Sequence, residues 1–289
     1  MDKPRHMPLA RTRLLVRRHS LTVRLSHWLN VLCMTILLFS GLQIFNAHPA
    51  LYWGQYGADG DPSIVSMQAV ENGDVTKGIT RIGPLSFDTT GVLGLSNVDG
   101  EPTERGFPAW ITLPSYQDLA TGRRWHFFFA WLFVINGLVY LAYGLVSRHF
   151  RRDLLPRPAE LAPAHLGHEI ADHARLRFPK GEKARHYNTL QKLAYLGVIF
   201  VALPLMIGTG LTMSPGFDAA APWLLDLFGG RQSARSLHFI AAGALVAFVL
   251  IHVVMVLLSG VLNNMRSMIT GRYAIDDEAQ TAPAKELVP

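Results

Sequence analysis

Four long apolar runs, from about Leu25 to Phe45, Trp125 to Val146, Leu190 to Met213 and Leu237 to Leu262, constrain this chain more than any other feature and place spans at 25–45, 123–147, 187–213 and 236–263. Each is close to the roughly 20 residues that a helix needs to cross about 30 Å of hydrocarbon. A backbone in lipid must satisfy its own hydrogen bonds, so runs of this length read as spanning helices. The expected fold is an all-α integral membrane protein, a four-transmembrane-helix bundle. The first run follows a basic start, but it is too long for the apolar stretch of a signal peptide and no convincing small-residue cleavage site follows it, so it is expected to be retained. The Arg17-Arg18 pair resembles a twin-arginine signal only superficially, because Arg24 interrupts the approach to the apolar run.

Lys and Arg stay on the cytoplasmic side during insertion, so the segments between the runs give the orientation. The segment 1–24 holds seven basic residues (Lys3, Arg5, Arg11, Arg13, Arg17, Arg18, Arg24) against Asp2. The segment 46–122 holds only Lys77, Arg81 and Arg105 against nine acids, whereas 148–186 holds nine basic residues, among them Arg148, Arg151, Arg152 and Lys183, against five acids. The last connection, 214–235, has only Arg231 and Arg235. Both termini, including the tail 264–289, are therefore expected in the cytoplasm. The net charge of +6 is explained by this topology and by attraction to anionic lipid, and no nucleic-acid partner is expected. The large periplasmic loop between the first two spans carries short strand-like pieces at Ser63–Val70 and Gly91–Asn97. It is expected to fold as a small cap whose acidity suits a partner, with a solvated lid that has no partner as the alternative. The polar tail after Tyr273 is expected to be disordered.

Cys33 is the only cysteine. That excludes a disulfide framework, a cysteine zinc site, an iron–sulfur cluster and covalently attached haem from this chain alone. Redox or metal chemistry must then rest on the 12 histidines. Four of them, His27, His126, His238 and His252, fall inside the apolar runs, where an ionisable ring is costly and usually functional. His238 and His252 are 14 residues apart, about 21 Å along a helix and only some 40° around it. With the topology above, His27 is level with His252 near the inner surface, and His126 is level with His238 near the outer one.

A histidine pair facing across a bundle can hold a haem iron from both sides and leave it no open position, so the iron passes electrons. Two such irons roughly 20 Å apart would form a wire across the membrane. A zinc or copper transporter is a poorer reading, because it wants carboxylates or thiolates near the midplane and the four runs contain no Asp or Glu. The glycines in the runs, Gly41, Gly137, Gly144, Gly208, Gly210 and Gly243, read as plain helix packing and none is assigned to a cofactor. Arg24, Arg124 and Arg235 lie a few residues from the proposed ligands and suit either haem propionates or interfacial anchoring. His165, His168 and His173 with Glu169 have a helical metal-ligand spacing, but in a basic solvated loop they read as incidental.

Several motifs together resemble the membrane cytochrome b subunits of bacterial formate dehydrogenases, nickel–iron hydrogenases and the thiosulfate reductase type. They are Arg24-Leu25-Ser26-His27-Trp28, the His at the head of the second run, Tyr187-Asn188 followed by Gln191-Lys192, the 14-residue His pair, and Ser267-Met268-Ile269-Thr270-Gly271. The resemblance implies two haems b, bound noncovalently, and a site for ubiquinone or menaquinone beside the cytoplasmic haem. Asn188 maps to that site, with Gln191 and Lys192 close by; equally, Asn188 suits a helix cap and Lys192 suits snorkelling. The long outer loop is closer to the thiosulfate reductase-like branch, whose members resemble partners of periplasmic molybdopterin enzymes. The expected function is electron transfer between a periplasmic redox subunit and the quinone pool, as the electron-transfer subunit of a quinone-linked oxidoreductase. A stand-alone haem oxidoreductase acting on superoxide or ferric substrates, and a non-redox transporter or anchor, are the alternatives.

Overall fold

The computed structural model describes residues 13–57, 61–175, 177 and 187–276. Lys3, Arg5, Arg11, Lys183 and the tail beyond Asp276 lie outside the described residues. The described residues begin with strand β1 (Arg13–Arg17) and helix α1 (Leu21–Phe45). Strands β2 (Ala50–Leu51), β3 (Val65–Asn72), β4 (Val75–Ile82), β5 (Leu85–Asp88), β6 (Gly94–Val98) and β7 (Glu101–Arg105) follow before helix α2 (Leu119–Val146). After α3 (Pro163–Ala174) come α4 (Thr189–Gly197), α5 (Leu203–Thr212), α6 (Pro215–Ala220) and α7 (Trp223–Leu227). Helix α8 (Arg231–Leu258), α9 (Val261–Thr270) and β8 (Arg272–Asp276) complete it.

Among the described residues, four helical stretches are long and apolar enough to cross a membrane: Leu21–Phe45, Leu119–Val146, Thr189–Thr212 and Arg231–Leu258. Their outward faces carry side chains that water would reject, such as Leu138, Leu250 and Ile251, each more than half exposed. Lipid solvates such a face, so these positions carry no burial penalty there. The third stretch passes from α4 to α5 through a π-turn at Val198–Ala202. Pro204 stands just beyond it; its ring clashes with the carbonyl four residues back, and the widened turn accommodates the lost hydrogen bond.

The described residues divide into two compact units, one within 1–25, 143–196 and 250–289 and the other within 26–142 and 197–249. The second contains the cap, which is β structure. Strands β2-β3-β4-β5 form one antiparallel sheet and β6-β7 a separate hairpin. Val98 pairs with Glu101 across the two-residue turn Asp99-Gly100, both at positive φ, which is the backbone that an Asp-Gly hairpin turn favours. Phe45, Leu51 and Met67 make the cap's core with Val65, Leu93, Phe107 and Phe239 packed against them. Three side chains at the start of α8 fasten the cap. Ser233 Oγ accepts from the Gly54 N–H (2.7 Å), Ser236 Oγ donates to Tyr52 O (2.6 Å), and Arg235 donates to His48 O and Ala50 O.

In the other unit β8 pairs with β1 in antiparallel register from Arg13↔Asp276 to Arg17↔Arg272. The expected disorder after Tyr273 is thus corrected as far as Asp276, because the polar tail finds a partner strand at the opposite end of the sequence. Gly271 makes the turn into β8 at φ +80°. A Cβ there would lie 2.9 Å from His19 O and 3.0 Å from Arg24 Nη1, so both the conformation and the space call for glycine.

Candidate functional site: a histidine pair beneath the cap

His126 on α2 and His238 on α8 meet in the cap-bearing unit. Their ring centroids are 6.3 Å apart and their planes are inclined at 61°. Two imidazoles that share one metal, each with its nitrogen about 2 Å away, have centroids about 6 Å apart. The spacing of the two rings would suit a pair of imidazoles holding one metal ion between them.

Each ring is held by a hydroxyl from a third helix. Ser40 Oγ on α1 lies 3.1 Å from His126 Nδ1, and Thr209 Oγ1 on α5 lies 3.0 Å from His238 Nδ1. Both hydroxyls spend their own proton on the helix, Ser40 on Ile36 O (2.6 Å) and Thr209 on Leu205 O (2.7 Å). Each oxygen therefore accepts the Nδ1 proton of its imidazole. That fixes the tautomer with Nε2 unprotonated, the state in which a neutral imidazole ligates a metal.

A glycine follows each hydroxyl residue. A Cβ on Gly41 would lie 3.4 Å from His126 Cε1, and one on Gly210 would lie 3.3 Å from His238 Cε1. The two hydroxyl-glycine pairs, Ser40-Gly41 and Thr209-Gly210, do the same work for different rings. Two of the six glycines of the apolar runs thus lie directly against an imidazole. Gly144 and Gly208 do accommodate neighbouring side chains, Phe150 and Phe228 respectively. Ser40→Ala and Thr209→Val each leave an Nδ1 proton without its acceptor. We expect each to weaken haem retention by about 10- to 100-fold, as losses of such outer partners do, measured by titrating haem into apoprotein.

His27 on α1 also belongs to the cap-bearing unit, with Trp28 beside it (ring centroids 5.3 Å). Asn136 of α2, buried, donates to Ser26 O (3.0 Å) and Asn30 Oδ1 (2.7 Å), so the backbone entering His27 is pinned to α2. His252 lies on α8 within the other unit. Asn136 was not legible as part of the site, since an amide in an apolar run carries no pattern until its partners are seen.

The three arginines have other work. Arg235 is committed to cap carbonyls and lies over the Phe45 ring. Arg24 donates to Ile269 O (2.6 Å), and Arg124 to Thr121 Oγ1 (3.2 Å). All three bond to groups of the protein itself.

Asn188 caps α4. Its Oδ1 accepts from the Gln191 N–H (2.8 Å) while Gln191 Oε1 accepts from the Asn188 N–H (3.3 Å), a reciprocal capping arrangement. Lys192 pairs with Glu160 (2.8 Å), and its ammonium holds that carboxyl below the usual carboxylate range. Glu169 belongs to the same helix start. Burial raises its carboxyl, but the N–H groups of Leu190 and Thr189 outweigh burial and bring it below its ordinary value. His173 Nε2 lies 3.2 Å from Asn188 Nδ2, and His165 Nε2 3.2 Å from Glu169 Oε1. The histidine-rich loop thus supports the helix start. Among the described residues no group of three or more His, Cys, Asp or Glu side chains is arranged to hold a metal ion.

Comparison with known proteins agrees with this geometry. A family model described as prokaryotic cytochrome b561 matches residues 18–271. The chain is 28% identical over 243 residues to YedZ1 of Azospira oryzae, named as a subunit of a protein-methionine-sulfoxide reductase; the match covers 83% of this chain and 90% of that protein. No solved structure matches it significantly.

Proposed function

The chain belongs to the prokaryotic cytochrome b561 family, and on that premise we propose that it relays electrons through two haems b from membrane quinol to a periplasmic oxidoreductase subunit. The coarser statement follows from membership itself: this is an integral membrane protein that binds haem b and serves as an electron-transfer subunit. The observation that carries the proposal is the His126–His238 pair, with its metal-ligand spacing and both Nδ1 atoms engaged. In this reading His126 and His238 hold the outer iron, and His27 and His252 hold the inner one. Haem held by such histidine pairs would supply one-electron exchange.

The residues divide the remaining work. Ser40 and Thr209 keep the outer imidazoles aimed and in the tautomer whose Nε2 is free to ligate. Quinol releases two electrons and two protons, so its site needs hydrogen-bonding groups and a path to water. Asn188, Gln191 and Lys192 at the start of α4 are the polar side chains we assign to it, on the strength of the motif. The acidic cap is the docking face for the partner, and the termini face the cytoplasm. The relationship to YedZ1 supports an acceptor that reduces methionine sulfoxide: two electrons and two protons convert it to methionine and water.

The decisive measurement is a reduced-minus-oxidised visible spectrum of the purified protein. We expect b-type bands with two components, reducible by a quinol analogue. A spectrum without b-type bands would overturn the haem assignment.

A further inference from the structure

Arg105, at the end of β7, is only 1% exposed and heads the fully buried side chains by size. All its partners are neutral: Nε donates to Phe107 O (2.7 Å), Nη1 to Ser115 O (3.0 Å), and Nη2 to Thr112 Oγ1 (2.9 Å) and Gln43 Oε1 (3.5 Å). Burial lowers its proton affinity, but a guanidinium stays charged at neutral pH. Nearby acids are engaged elsewhere. Glu104 Oε1 accepts from the Ala69 N–H (3.1 Å) and Asp118 Oδ1 from the Thr121 N–H (3.0 Å). Among the described residues, then, no carboxylate compensates this cation. Buried charges are usually paired, and a neutral donor could hold the same carbonyls with far less desolvation.

Its position relative to the histidine pair suggests what the charge does. Gln43, which touches Arg105, is three residues along α1 from Ser40, the hydroxyl that holds His126. Gln43 also packs against Gly122, where a Cβ would lie 3.1 Å from its Cγ, and Gly122 is four residues before His126 on α2. Gln43, which the cation touches, therefore lies about one helical turn from Ser40 and from His126, and Arg105 sits beyond it on the cap side. We propose that Arg105 is a fixed positive charge that raises the reduction potential of the haem held by His126 and His238. The proposal rests on the haem reading above. Reduction adds one electron to the iron, and a nearby cation screened little by solvent stabilises the reduced form. Because its N–H groups are committed to protein acceptors, Arg105 acts through its field. A raised outer potential also favours electron flow toward the cap.

Redox titration of the whole haem-loaded protein in detergent tests this, with the outer component identified as the one that His126→Ala lacks. Arg105→Gln removes the charge. Thr112→Asp leaves Arg105 in place but gives it a counter-charge, which keeps the test open if the first variant does not fold. Thr112→Val removes the same acceptor with no change of charge. The first two are expected to raise the oxidised-to-reduced ratio of the outer haem about tenfold at a fixed potential, a drop of about 59 mV for a one-electron couple. Thr112→Val and the inner component should stay where they are. An unmoved outer component in both charge variants, or an equal shift in Thr112→Val, overturns the role of Arg105. A parent protein with no b-type bands overturns the haem reading, and this proposal with it.

Discussion

His126→Ala is expected to remove one of two b-type components completely and leave the other in place. The argument is geometric. His126 and His238 face each other at a ring spacing of 6.3 Å, and the hydroxyl of Ser40 orients His126. In the proposed pairing, alanine would leave the iron with one protein ligand and open a void where the ring stood against Gly41. His238→Ala should produce the same spectrum, and the double variant should lose no more than either single one, because residues acting as a unit are not additive. The survival of one component separates ligand loss from misfolding. Loss of both components in every variant, with the protein still folded, would mean that the irons are not held in separate pairs.

The second large effect is expected from His252→Ala. It should abolish the other component and slow quinol-driven reduction of the remaining haem by more than about 100-fold, since electrons would have to enter across a gap left by the inner iron. His27→Ala should match it. The basis is the spacing of α8, on which His252 follows His238 by 14 residues, about 21 Å of helical rise at nearly the same angle. Stopped-flow reduction by a quinol analogue, monitored at the b-type bands, provides the measurement. If His252→Ala kept both components, the pairing of His27 with His252 would have to be abandoned.

The features that lipid imposes were legible from sequence. Twenty apolar residues in a row have few alternatives in water, and a histidine among them stands out because desolvating it is expensive. The groups that aim those histidines did not stand out. Ser40 and Thr209 look like ordinary hydroxyls bonded to their own helix, and both do make that bond; only the fold shows the second one, to an imidazole 86 and 29 residues away respectively. Arg105 read as a loop charge, because nothing local announces that a chain segment will close over it. The cap was legible in part. The apolar pieces near Val65 and Gly94 lie in strands, whereas β4, with Lys77, Gly78 and Arg81, has little apolar alternation to mark it. Asn188 fitted two roles from sequence, and its capping role is the one visible in the hydrogen bonds.

The ladder between β1 and β8 has a topological consequence. Strand edges cannot be paired through a bilayer, so Arg17 and Arg272, which pair in register, occupy one aqueous compartment. A chain that leaves a compartment and returns to it crosses the membrane an even number of times, whichever side it starts from. Parity thus limits the crossings independently of any hydropathy criterion, and four satisfies it. A relative that gained or lost a single span could not keep this ladder.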